Sequence, residues 1–304
     1  MENKLVVILG PTASGKTSFA VNLANKINSE IISADSRQIY QGMDIGTGKD
    51  LSEYIINNKK IPYHLINILK PCQDYSVFQF KEDFFNCYNS LNEKKKNSIL
   101  CGGTGLYIES VLLDYNIPNI AADNNLRDSL NELSKEDLII ILKKIDEIKF
   151  NSEFHTTKRR LIRTIEIANN PKANNIKTSN LTKIDDFIVF GIDIKRESLL
   201  ELIEKRLIER FDEGMIDEVE SLINSGIDYK RLQYFGLEYK IIGEYFFQKI
   251  SLSDMKLKLK FAINKFSKRQ MTFFRRMEKR GIKIHWVQKK DYEDIELFIE
   301  KYSL

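Results

Sequence analysis

The chain is poor in the residues that build disulfide frameworks and metal cages. Cys72, Cys87 and Cys101 are odd in number and lack metal-site spacing, so a reducing cytoplasm is expected, with each thiol a small buried apolar group. His64, His155 and His285 are scattered and form no ligand set. No apolar run approaches the ~20 residues of a membrane span. The N-terminus enters strand-forming sequence almost at once, which leaves no room for a signal or transit peptide. No internal repeat occurs at a fixed period. The dinucleotide pattern G-x-G-x-x-G is also missing.

What the sequence does carry is concentrated near its start. Gly10-Pro11-Thr12-Ala13-Ser14-Gly15-Lys16-Thr17 fits G-x-x-x-x-G-K-[ST], a loop that wraps phosphate groups. The apolar run Leu5 to Leu9 before it reads as a buried parallel strand. After it, Phe19, Ala20, Leu23, Ala24 and Ile27 share one helical face. Glycines let backbone amides approach phosphate oxygens, and the helix N-terminus adds favourable partial charge. A phosphorylated ligand is therefore expected, with Lys16 neutralising it and the Thr17 hydroxyl helping to hold Mg²⁺.

The first third alternates strand and helix signals, as doubly wound α/β folds do. A second strand is expected over Glu30 to Ala34, ending at Asp35. A third runs from Ser98 to Cys101 into Gly102-Gly103-Thr104-Gly105, followed by a helix through Tyr107, Ile108, Val111 and Leu112. Ligands of such folds sit at the carboxyl ends of strands, where Asp35 and Thr104 both fall. From about Asn116 the composition shifts to Asn, Lys and helix formers, with Asn-rich patches near Asn174 that read as a mobile loop. Phe187 to Ile192 restores a strand, and the sequence from Arg196 onward looks helical. The expected fold is an α/β, P-loop (NTPase-like) parallel sheet flanked by helices, formed by residues 1–118 and 187–304, with a helical insertion at 119–186.

Net charge is only +4, but its distribution is uneven. Between Lys256 and Lys290 only Glu278 opposes thirteen basic residues, and Lys158, Arg159, Arg160 and Arg163 form a second cluster. Either alone reads as a solvated helix face; two of them beside a phosphate loop favour a polyanion, RNA or DNA. Asp35 leaves several readings open: a base for a kinase's substrate hydroxyl, a base for another acceptor, or a carboxylate that caps a helix. A P-loop ATPase usually carries an apolar strand ending in a second acid that helps hold Mg²⁺. The third strand here ends without one, which weakens a hydrolase reading.

In order and spacing, the glycine loop, Ser33-Ala34-Asp35-Ser36-Arg37-Gln38 through Gly46-Thr47, Pro62-Tyr63-His64-Leu65, Gly102 to Tyr107, and Lys268-Arg269-Gln270-Met271-Thr272-Phe273-Phe274-Arg275 resemble the bacterial tRNA dimethylallyltransferases, also called tRNA isopentenyltransferases. The resemblance covers nearly the whole chain. It implies transfer of a dimethylallyl group from its diphosphate to the exocyclic amine of the adenosine 3′ of the anticodon, with tRNA as partner through its anticodon stem-loop. Gly10 to Thr17 would cradle the diphosphate with Mg²⁺. By match, Asp35 is the general base and Thr104 lies close to the flipped adenine. Arg210 would steady the leaving diphosphate; taken alone it reads as a helix-surface ion pair with Glu209 or Glu213.

The matched tRNA-binding positions are Asp35, Ser36, Arg37 and Gln38, with Thr104 and Arg127. To these the resemblance adds Arg159, Arg160, Leu161, Ile162 and Arg163, and then Gln233, Tyr234, Phe235, Gly236, Leu237 and Glu238. Lys268, Arg269, Arg275 and Arg276 are phosphate-contact candidates, with Phe273 and Phe274 read as core beneath them. Thr156-Thr157 and Phe235-Gly236-Leu237 depart from the usual family sequence, which bears on RNA contacts. A cytoplasmic monomer without membrane association is expected. The alternatives are a P-loop small-molecule kinase, transfer to free adenine nucleotides, and a non-catalytic RNA-binding module.

Overall fold

The computed structural model describes residues 4–115, 117–152, 157–170, 184 and 186–304. The chain divides into two compact units, residues 1–115 with 182–304, and residues 116–181.

The larger unit is built on a parallel sheet. Its strands are β1 (Leu5–Leu9), β2 (Glu30–Ser33), β5 (Tyr63–His64), β6 (Ser98–Gly102), β7 (Phe187–Ile192) and β8 (Ile284–Val287), in the order β5-β2-β6-β1-β7-β8. A separate hairpin pairs β3 (Ile55–Ile56) with β4 (Lys59–Lys60). Asn57 and Asn58 turn it in the left-handed region, the backbone that favours Asn in tight hairpins. Every residue of β1 and β6 is buried, as expected of parallel strands covered on both faces.

Register is what positions the site. β6 lies between β1 and β2, with Leu9 opposite Gly102 and Ser33 opposite Cys101. The three strands therefore end level, and Gly10, Asp35 and Thr104 emerge side by side from one edge of the sheet. The expected strand at 187–192 does rejoin the sheet, pairing with β1 from Phe187 opposite Leu5.

Helix α1 (Lys16–Lys26) buries Phe19, Ala20, Leu23 and Ala24 on the sheet, with Ile27 partly buried as its C-cap. α2 (Val77–Glu93) starts at a Ser76–Gln79 capping box, and α3 (Gly105–Leu112) follows β6 directly. The smaller unit holds α4 (Asn124–Asn131), α5 (Lys135–Ile145), α6 (Glu147–Ser152) and α7 (Lys158–Ala168). Its core is Leu130, Leu138, Leu142, Leu161, Ile162 and Ile165, and Asp123, Ser134 and Thr157 cap its helices. The larger unit continues with α8 (Arg196–Asp212), α9 (Met215–Asn224), α10 (Tyr229–Phe235), α11 (Leu237–Phe246) and α12 (Leu252–Lys279), and ends with α13 (Ile295–Tyr302). Helices α8 to α12 enclose a second core around Met215, Leu232, Tyr239 and Leu259.

Some expectations need correction. The region after Arg196 is not wholly helical: Ile284–Val287 forms an edge strand parallel to β7. Four residues give no helical or strand period, so only pairing with β7 defines the strand. Cys101 alone of the cysteines is buried; Cys72 is exposed in the turn after Pro71 and Cys87 is half-buried. The Asn174 patch, His155 and Thr156 lie outside the described residues.

Candidate active site

The glycine loop closes tightly between β1 and α1. A Cβ on Gly10 would meet the Ser14 Oγ at 2.7 Å and Ile192 Cβ at 3.1 Å. Gly15 caps α1 at φ +79°, a left-handed conformation suited to glycine. Lys16 folds its Nζ to 3.5 Å from the Pro11 carbonyl. Burial lowers its pKa, while the charge of Asp35 is among the influences that oppose that shift. The amine is thus partly stripped of water, and a bound anion would favour its charged form.

A cavity of about 410 Å³ opens on this loop. Its lining includes Lys16 and Thr17, Asp50 and Glu53, and Arg206 and Arg210 of α8. Arg210 is 7% exposed, and its buried Nη2 has no hydrogen-bond partner. It is not the surface ion pair with Glu209 or Glu213 that its local sequence suggested. Burial and the neighbouring Arg206 push its pKa down to about 10, so at neutral pH it is a charged, incompletely satisfied group beside a cavity. Such a donor suits an anion that the protein itself does not supply.

Across the strand ends stands a second group. The Arg37 amide donates to Asp35 Oδ1 at 3.1 Å, and the Ser36 amide donates to Thr104 Oγ1 at 3.0 Å. Thr104 N–H in turn donates to the Ala34 carbonyl at 3.1 Å. Asp35, Ser36 and Thr104 therefore form one surface beside the glycine loop. Arg37 pairs with the buried Glu238 of α11. Burial works against its charge, but Glu238 and Asp35 prevail and raise its pKa. Gln38 faces inward, accepting from Ser33 Oγ at 3.1 Å and donating to the Gly48 carbonyl at 3.1 Å.

The remaining positions matched to tRNA contacts differ in character. In the smaller unit Arg159 and Arg160 are exposed, while Leu161 and Ile162 are core residues. Arg127 and Arg163 both pair with the buried Glu166. In the larger unit Gln233 and Tyr234 are exposed, Gly236 and Leu237 half-buried, and Phe235 and Glu238 buried. On α12, Lys268, Arg269 and Arg275 are exposed, but Arg276 is committed to Glu109, whose side chain is fully buried, at 2.5 Å. Phe274 is buried as expected; Phe273 is half-buried, with the Arg276 guanidinium 4.0 Å from its ring centroid.

Two site residues gave little warning in sequence. Gln270 bridges the strand ends by accepting from the Thr12 amide at 2.9 Å and donating to the Gly103 carbonyl at 3.0 Å. It lies in the matched segment Lys268 to Arg275, but nothing in that segment's sequence assigns it this role. Arg206 lies four positions before Arg210, hence on the same helical face, and that spacing was a usable signal.

Among the described residues no cluster of three or more His, Cys, Asp or Glu could hold a metal. Mg²⁺ does not require one, because it commonly keeps several waters and takes one or two protein oxygens beside substrate phosphates. Thr17, with Asp50 and Glu53 on the same cavity, is a donor set of that kind.

A parallel sheet, a glycine loop entering a helix, and a lysine and arginine lining the adjoining cavity define a P-loop α/β protein. Models of the families "IPP transferase" and "Isopentenyl transferase" match residues 38–277 and 3–67. The chain belongs to the IPP transferase family of tRNA dimethylallyltransferases. It is 47% identical over 283 residues to tRNA dimethylallyltransferase 2 of Phocaeicola vulgatus, covering 93% of this chain and 92% of that protein. The crystal structure of a full-length tRNA isopentenylpyrophosphate transferase from Bacillus halodurans superposes with a TM-score of 0.70 at 32% identity, covering 98% of this chain and 96% of that one. A eukaryotic dimethylallyltransferase acting on tRNA shares the fold, with a TM-score of 0.78 at 20% identity, covering 98% of this chain and 78% of the other. No helix among the described residues is long and apolar enough to cross a membrane.

Proposed function

We propose that this chain, a cytoplasmic monomer, transfers the dimethylallyl group of dimethylallyl diphosphate to the exocyclic amine of the adenosine 3′ of the anticodon in tRNA. The allylic carbon–oxygen bond breaks with its electron pair leaving on diphosphate, and a bond forms from the adenine nitrogen to that carbon. The nitrogen's proton passes to the Asp35 carboxylate. An adenine amine is a weak nucleophile because its lone pair is delocalised, so a carboxylate within hydrogen-bond reach assists as the bond forms.

Lys16, Arg210 and the amides of Thr12 to Gly15 stabilise negative charge on the departing diphosphate. Thr17 would hold Mg²⁺, which when bound adds to that neutralisation. Thr104 lines the adenine side beside Asp35. Arg159, Arg160, Lys268 and Arg269 would meet tRNA phosphates. An anticodon-loop adenosine suits the site because a loop base leaves its stack at lower cost than a paired one.

The observation that carries this reading is Arg210: a buried, charged guanidinium with an unpartnered Nη2, facing the same cavity as Lys16. The test is incubation with labelled dimethylallyl diphosphate, Mg²⁺ and either unmodified tRNA or AMP. Label is expected in tRNA; label in AMP alone would overturn the proposal. Phosphorylation of a small acceptor from ATP without dimethylallyl diphosphate would instead support a kinase.

A further inference from the structure

The loop between Gly42 and Asp50 touches both halves of the site, lying against Arg210 and bonding Gln38 through Gly48, and one carboxylate outside the cavity grips its backbone. Glu218 of α9 accepts from three successive backbone amides, those of Asp44 and Ile45 at 2.7 Å on Oε2 and of Gly46 at 3.0 Å on Oε1. Its Oε1 also accepts from the Tyr239 hydroxyl at 2.8 Å. A side chain at Gly46 would collide with that arrangement, its Cβ lying 2.8 Å from the Tyr239 hydroxyl oxygen. The glycine there allows the backbone to sit down on the carboxylate.

Two residues further on, the same turn delivers Gly48 to the site. Gly48 has φ +65°, and a Cβ there would strike the guanidinium groups of both Arg210 and Arg206. Its carbonyl accepts from Gln38, three positions beyond Asp35, at 3.1 Å. The Gly48 amide donates to the Ile45 carbonyl at 3.1 Å and the Lys49 amide to the Asp44 carbonyl at 3.1 Å, so the clamped amides and Gly48 belong to one hydrogen-bonded turn. A displacement of Asp44 to Gly46 is thereby passed to the surface on which the Arg210 guanidinium rests.

We infer that Glu218 is a positioning residue for diphosphate binding: its clamp on the Asp44–Gly46 amides fixes Gly48, and through Gly48 the placement of Arg210. Glu218 is not among the residues lining the cavity, so it acts through that turn. This inference rests on the reading of the cavity as the diphosphate site. A carboxylate suits the task because it offers lone pairs for all four donors and presents no N–H. The amide of Glu218→Gln turns one donor toward backbone N–H groups and must break part of the set.

The experiment is titration calorimetry with inorganic pyrophosphate and Mg²⁺ on the full chain, as wild type, Glu218→Gln and Glu218→Asp. The aspartate keeps the charge but is one methylene too short to hold all three amides. Pyrophosphate affinity is expected to fall about tenfold in Glu218→Gln, with a smaller fall in Glu218→Asp, as for a modest misplacement of a binding group. In transfer assays KM for dimethylallyl diphosphate should rise by a larger factor than KM for tRNA, a split that general loosening of the fold would not give. Wild-type affinity in both variants would overturn the role of Glu218 and leave the site reading intact. Failure of the wild type itself to bind pyrophosphate would overturn the site reading, and this inference with it. Should Glu218→Gln not fold, wild-type affinity in Glu218→Asp is by itself sufficient to reject the role.

Discussion

Gln270 and Thr12 meet across 258 residues of sequence, the Thr12 amide donating to Gln270 Oε1 at 2.9 Å. The Gln270 amide nitrogen donates onward to the Gly103 carbonyl at 3.0 Å. A side chain from α12 thus ties the phosphate loop to the loop that carries Thr104. Gln270→Ala leaves the buried Gly103 carbonyl unpaired and should cost about 1–3 kcal/mol of stability. A urea midpoint lowered accordingly, with weaker pyrophosphate binding, is the expected outcome. An unchanged midpoint would show that water replaces both bonds.

Arg210 carries the opposite balance. A buried guanidinium with an unpartnered Nη2 costs the empty protein stability, whereas a bound diphosphate turns it into an asset. Arg210→Met keeps most of the volume and removes the charge. The unliganded protein should gain about 1–2 kcal/mol in denaturant unfolding, while pyrophosphate no longer protects it against heat. Lower stability in the unliganded variant would show that the charge near Glu238 is net stabilising.

Asp35 can be separated from its structural setting. Asp35→Asn retains an oxygen to accept the Arg37 amide, which holds the residue at 3.1 Å, but loses the base. Single-turnover transfer should slow by about 10²–10⁴-fold, with tRNA affinity nearly unchanged. An equal loss in both would assign Asp35 to anchoring the tRNA.

Arg159 and Arg160 sit on the exposed face of α7, whose opposite side is the core of the smaller unit. If both meet phosphates, replacing them with Gln should weaken tRNA binding and reduce the slope of log affinity against log salt by about one for each. A slope identical to wild type would remove them from the interface.

Much of this site could be read from local sequence because β1, the glycine loop and α1 are contiguous and each has a strong pattern. The strand Phe187–Ile192 was visible for the same reason, as an unbroken apolar run. What escaped notice depends on contacts distant in sequence. β8 is four residues that become a strand only beside β7. Glu218 is one of three acids on α9, and only the fold brings it to Asp44. The positive clusters pointed to a polyanion as composition, yet charge patterning could not tell exposed Arg159 from Arg163, which is held by the buried Glu166, or exposed Arg275 from Arg276, which is held by the buried Glu109.

The Glu166 cluster makes the stability of the smaller unit depend on acid. Its side chain is 2% exposed and accepts from Arg127 at 2.8 Å, from Arg163, and from the Asp123 amide at 2.6 Å. Burial acts to raise its pKa, but the two arginines and the amide outweigh that and hold it below the usual carboxylate value of 4.5. The folded state therefore binds the proton less readily than the unfolded chain. The stability this contributes is complete above pH 4.5 and is lost as pH falls through the lower folded value. Hydrogen exchange of the α7 amides should accelerate over that acidic window. Glu166→Gln should already show fast exchange at neutral pH, with a loss of about 1–3 kcal/mol because hydrogen bonds between charged groups are lost, and with little further change in acid. If wild type and Glu166→Gln respond alike to acid, another carboxylate governs the transition.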